Sequence, residues 1–141
     1  MENFESFIET GEVRKVSKNI ARAKKLIKDG EERIEKVNLL DINKFPKFVF
    51  ENTYDALRDF MLAILLFEGY NTDSHKAPIA YLSKKGFDVY AVDRLDKFRY
   101  KRNGSKYYGD EVSVEEAKDI KEFYSKIRDK LNKILENIKI S

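Results

Sequence analysis

The chain contains no cysteine, which excludes disulfides, thiolate zinc sites and thiol catalysis. A single histidine, His75, makes a multi-histidine metal site impossible unless another subunit contributes. No metal site and no cofactor are expected, and carboxylates scattered over helix faces read as solvated surface. Tryptophan and glutamine are also missing while lysine and glutamate abound, a composition that leans thermophilic, although nine asparagines weigh against it. Proline occurs twice and glycine six times, so nothing reads as an interdomain linker. The longest apolar run, Phe60 to Phe67, is eight residues, too short to span a bilayer. The amino terminus is acidic and lacks a cationic-then-apolar signal segment. A cytoplasmic protein with no membrane partner is the expectation.

What the chain does have is charge of both signs. Its 28 basic and 25 acidic side chains leave a net charge of only +3. It is no polycation, so any anion or nucleic-acid site must come from local clustering. At 141 residues and 42% hydrophobic content, the chain reads as one compact domain over 1–141, with 1–16 as a short lead-in. A domain of this size hides roughly two-thirds of its unfolded surface, enough for a core.

The periodicities are almost entirely helical. Ala117, Ile120, Tyr124, Ile127, Leu131, Ile134 and Ile138 recur in steps of three and four, one apolar stripe on a long carboxy-terminal helix. Ser113 and Glu116 have capping-box spacing, so that helix starts near Val114. An early helix spans about Lys18 to Leu39, with Ile20, Ala23, Ile27, Ile34 and Val37 inward. Gly30 sits on that stripe and costs about 1 kcal/mol against alanine, which implies close packing or a kink. A short turn of helix precedes it at Phe4 to Glu9.

Phe45 to Glu68 carries two adjacent stripes, wider than one buried face needs. That helix is either central or also buried against a second subunit, with Asn43 as its cap. Two shorter helices follow, Asp73 to Lys84 and Asp88 to Arg102, broken at Gly86. Gly104 can take the left-handed conformation that ends the second of them. Short connections favour antiparallel neighbours. The fold class is all-α, an antiparallel bundle of four to five helices.

Chemistry points to one stretch. Lys97, Arg99, Lys101, Arg102 and Lys106 place five positive charges in ten residues, interleaved with Phe98 and Tyr100 and followed by Tyr107 and Tyr108. Cations beside aromatics bind phosphates by charge and bases by stacking. The bland alternative is a helix end whose dipole favours basic residues by about 0.3–1 kcal/mol each. Arg102 tilts the balance, because it continues the stripe Ala91, Leu95, Phe98 and so faces inward. An inward arginine needs an anionic or carbonyl partner. Arg99 and Lys101 lie off the stripe and read as solvated charges, while Asn103 can donate to phosphate or cap the helix. If the two short helices form a hairpin about Gly86, His75 falls near Arg99 and Arg102, at the end of the bundle that holds Tyr107. The bland reading of His75 is that Asp73-Ser74-His75 simply begins a helix.

From Glu12 onward the chain resembles the HEPN domain proteins, particularly small archaeal single-domain ones. The stretches that carry the resemblance are Gly11 to Ser17, Glu51-Asn52-Thr53-Tyr54-Asp55-Ala56-Leu57-Arg58, Gly69-Tyr70-Asn71, Ser74-His75-Lys76-Ala77 and Arg102-Asn103-Gly104-Ser105-Lys106-Tyr107-Tyr108-Gly109. The resemblance implies a dimeric helical bundle with the Arg-Asn motif of each subunit near the dimer interface. It also suggests a minimal nucleotidyltransferase as partner, as in toxin–antitoxin pairs.

Active HEPN ribonucleases carry a histidine four to six positions beyond the arginine-polar pair. Here Arg102 and Asn103 match, but Tyr107 and Tyr108 stand in the histidine's region. A phenol with pKa near 10 is ionised in about one part in a thousand at pH 7, so it is a poor base. Three readings stay open. One is a non-catalytic module binding nucleotide, RNA or a nucleotidyltransferase through Arg102, Asn103, Lys106, Tyr107 and Tyr108. Another is a metal-independent ribonuclease, with Arg102 stabilising charge, Asn103 positioning phosphate and Tyr107 or His75 moving protons. The last is a purely structural assembly bundle.

Overall fold

The computed structural model describes residues 1–141. Helix accounts for 72% of them, in six helices with little sheet, so the all-α expectation holds. In chain order the elements are α1 (Phe4–Glu9), β1 (Val13–Lys15), α2 (Ile20–Asn38), α3 (Pro46–Phe67), β2 (Tyr70–Thr72), α4 (Ala77–Tyr81) continued by a 3-10 turn (Leu82–Lys85), α5 (Val89–Tyr107) and α6 (Val114–Lys139).

The two strands were not expected. They pair antiparallel, Val13 opposite Thr72 and Lys15 opposite Tyr70, a ladder too short for period-two patterning to reveal. Their pairing folds the lead-in onto the rest. Phe4 and Phe7 of α1 are buried, and Phe4 packs edge-on against Tyr81 and Tyr70, with ring centroids 4.5 and 5.1 Å away.

Helix α3 is central. It packs against α2, α4, α5, α6 and β2, and both of its apolar stripes are covered within one chain. Its width therefore needs no second subunit. On α2, Ala23, Ile27, Gly30 and Val37 are buried as expected, whereas Ile20, at the helix's first position, stays exposed and Ile34 is half-buried. A Cβ on Gly30 would run into the Phe60 ring, so glycine there serves close packing of α2 on α3. On α6 the capping box forms: the Glu116 amide donates to Ser113 Oγ, and the Ser113 amide donates to Glu116 Oε1. The α6 stripe is rotated slightly from the expected one. Phe123 and Leu135 are buried, while Tyr124, Ile127 and Ile134 flank the core.

Three boundaries differ from the sequence reading. Phe45 occupies the cap position of α3 without a side-chain bond, and Asn43 instead donates its amide to Asp41 Oδ1 in the preceding turn. Helix α4 starts at Ala77 and not at Asp73, because Thr72 is held in the ladder and Ser74 Oγ accepts from the Ala77 amide. His75 thus lies in the connection before the helix. Gly104 does not end α5: the helix runs to Tyr107, and the left-handed residue is Gly109, at φ 69°. The Gly104 carbonyl instead accepts the amides of Tyr108 and Asp110, and a Cβ there would meet the Asp110 carboxylate. Gly86, at φ 87°, makes the expected break. No helix is long and apolar enough to cross a membrane.

Candidate functional site

The inward arginine finds its anion inside the chain. Arg102 Nε and Nη2 donate to the two oxygens of Asp55 at 3.1 and 3.0 Å, and Nη1 donates to Glu51 Oε2 at 3.1 Å. Ser105 Oγ also donates to Glu51 Oε2, at 2.6 Å. The forked geometry is the strong form of an arginine–carboxylate pair. The Arg102 side chain is only 11% exposed. Burial works against its charge, but the hydrogen bonds and field of Asp55, with Glu51 behind it, outweigh burial and hold the guanidinium above the ordinary arginine range.

The carboxylates that receive it form a row the sequence reading missed. Glu51, Asp55 and Asp59 recur every four residues along α3, beside its two apolar stripes. Arg33 of α2 closes the far end, with Nε 3.1 Å from Asp59 Oδ2 and Nη1 3.2 Å from Asn52 Oδ1. Burial raises the Asp59 carboxyl above the usual carboxylate range despite that arginine. The signal was present as acids in an i, i+4 row on an otherwise apolar helix. Its meaning depended on which helices lay alongside.

Beyond Arg102, the last turns of α5 border a hollow of about 610 Å³. Lys76, Arg99, Tyr100, Asn103, Tyr107 and Tyr108 line it, and Arg102 does not. Tyr100, Tyr107 and Tyr108 are strongly exposed, Tyr108 at 81%. Lys106 is exposed too, and its ammonium lies 5.3 Å from the centre of the Tyr107 ring. Asn103 is half-buried within the helix, so it caps nothing.

Arg99 corrects the sequence reading. It is not a solvated charge: its side chain is 12% exposed, and Nε donates to Asp96 Oδ1 at 2.8 Å. Lys101 is likewise engaged, donating to the Glu111 carbonyl at 2.7 Å and pairing with Glu116 at 3.2 Å, which ties α5 to the start of α6. The charge of Arg99 reaches His75. Burial lowers its pKa first, and the charges of Arg58, Arg99 and Lys106 lower it further, so the imidazole favours its neutral form. Arg102 is not among the charges that act on it.

No family model matches the chain, and no curated protein or solved structure matches it. Functional argument therefore rests on the side chains themselves.

Proposed function

We propose that the chain is a HEPN-type antiparallel helical bundle that works as a dimeric, non-catalytic binding module, holding a nucleotide or an RNA segment at the end of α5. The observation that carries this reading is the hollow where two cations, Lys76 and Arg99, outnumber one carboxylate, Asp110, beside the exposed rings of Tyr100, Tyr107 and Tyr108. Stacking on such rings is worth about 1–3 kcal/mol per base and tolerates any sequence, and the cations match the phosphates. Dimerisation and family membership are supported by the resemblance of the motif stretches.

Catalysis is not part of the proposal. Three of the five N–H donors of Arg102 are committed to Asp55 and Glu51, so the charge that would stabilise a phosphorane is already held by two carboxylates. Tyr107 and Tyr108 stand where an active enzyme carries histidine. A second reading has a nucleotidyltransferase protein covering the same face. What favours it is that tyrosine and arginine are the residue types that dominate protein–protein hot spots.

Thermal melting with nucleotides and short RNAs tests the proposal. A ligand at a hundred times its dissociation constant adds about 2.7 kcal/mol of stability, and the gain should vanish in Tyr107→Ala/Tyr108→Ala. No stabilisation by any nucleotide or RNA, together with a stable complex on co-expression with a nucleotidyltransferase, would transfer the face to the second reading. Cleavage of RNA in EDTA would overturn the non-catalytic assignment, and a monomer at every concentration in light scattering would remove the dimer.

A further inference from the structure

The hollow at the end of α5 contains one side chain to which the nucleotide reading gives no part. Asp110 lines it together with Lys76 and Arg99, yet Asp110 forms no ion pair with either of them or with any other cation. Its place is nevertheless fixed. Gly109 turns the chain at φ 69°, and the Asp110 amide donates to the Gly104 carbonyl at 3.2 Å. Glycine at 104 leaves the room that the carboxylate takes against the helix, where a Cβ would collide with it.

That position is electrostatically poor. The last carbonyls of a helix form the negative end of its dipole, which disfavours an anion beside them. The cations that could compensate stay out of reach: Arg99 gives only Nε, to Asp96, and Lys76 pairs with no acid. The hollow thus holds a carboxylate acceptor and two cations that do not neutralise one another. Its volume of about 610 Å³ falls within the range of small-molecule sites, about 300–1,000 Å³.

We infer that Asp110 makes the hollow selective for guanine. The base stacks on the exposed tyrosine rings, its N1–H and 2-amino group donate to the two carboxylate oxygens, and Arg99 and Lys76 take the phosphate. This inference rests on the nucleotide-binding reading of the same hollow and adds the identity of the base to it. Stacking alone tolerates every base, so the choice falls to the polar edge. Among the four RNA bases, guanine alone sets two N–H donors side by side on its pairing edge, the fork that a carboxylate accepts. Adenine and cytosine place a ring acceptor beside their amino group, and uracil flanks its one N–H with carbonyls. Each of these three turns a lone pair toward the carboxylate.

Calorimetric titration of the full chain with single nucleotides tests this. GMP should bind about tenfold more tightly than AMP, CMP or UMP, within the range of one forked base contact, and IMP, which lacks the 2-amino group, should fall between. The single-stranded pentamers UUGUU and UUAUU should differ in the same direction. Asp110→Asn should abolish the preference for GMP and turn it toward XMP, whose N1–H and 2-carbonyl match the oxygen and amino group of a carboxamide. The ligand-free melting temperature of Asp110→Asn should stay equal or rise, because no ion pair is lost and a charge leaves the negative end of α5.

Equal affinity for GMP and AMP, and for the two pentamers, overturns guanine selection while the nucleotide face stands. A uniform gain for all nucleotides in Asp110→Asn also overturns it, since the carboxylate would then only repel phosphate. So does a melting temperature lowered by several degrees in that variant, which would assign the carboxylate to the fold. If no nucleotide and no RNA binds at all, the face itself falls and guanine selection falls with it.

Discussion

Arg102 shows how one residue can satisfy a physical requirement in an unforeseen way. Its inward direction demanded an anion, and the fold supplies Asp55 and Glu51 from α3, with Ser105 finishing the hydrogen bonding of Glu51. Removing the guanidinium leaves the partly buried Glu51 without a cation and Asp55 with only Arg33, whose Nη1 lies 3.8 Å away. Arg102→Ala is therefore expected to destabilise by about 3 kcal/mol, the low end of the range for broken buried pairs because Asp55 keeps some water. Arg102→Lys should recover only part of this, since an ammonium cannot fork to two oxygens. The midpoint of urea unfolding checks both, and an unchanged midpoint in the alanine variant would show that the pairs contribute nothing. Any binding or cleavage assay on Arg102→Ala needs that control beside it, because loss of fold and loss of function look alike.

At the scale of elements, the contact of α2 with α3 is the tightest argument. Gly30→Ala adds about 1 kcal/mol of helix propensity but drives a methyl group into the Phe60 ring, which the core holds at 1% exposure. Overpacking costs typically about 1–3 kcal/mol, so net destabilisation is expected, read as a lower melting temperature. A higher one would mean that the two helices separate freely. Helix α5 carries the complementary lesson. Gly104 looked like a stop signal, yet its amino-acid type serves the approach of Asp110 and not a left-handed turn. Glycine marks either use in a sequence, and only the partner across the gap separates them. The added turns bring Tyr107 into the helix and onto the rim of the hollow.

Across the whole molecule, residues 1–16 prove to be more than a lead-in. Phe4, Phe7 and Val13 bury into the common core, β1 completes the ladder with β2, and Glu5 forms an ion pair with Lys84. Deleting 1–16 uncovers Tyr70 and Tyr81 and removes three buried apolar side chains, each worth about 1.5–3 kcal/mol. A loss of about 5 kcal/mol is expected in chemical denaturation, with increased binding of a hydrophobic dye. An unaltered denaturation midpoint would mean that α1 merely rests on the surface.

Helix content, the course of α2, α3 and α6, the capping box at Ser113 and the break at Gly86 were all legible in the sequence. Each is a local matter, set by residues within one or two turns. So was the inward turn of Arg102, a consequence of helical periodicity alone. The three-residue strands, the acidic row that receives Arg102 and the half-buried state of Arg99 were decided only by tertiary structure. They join positions up to 60 residues apart in sequence, such as Glu12, whose carbonyl accepts from the Thr72 hydroxyl. No local pattern encodes which donor will meet which acceptor until the helices have packed.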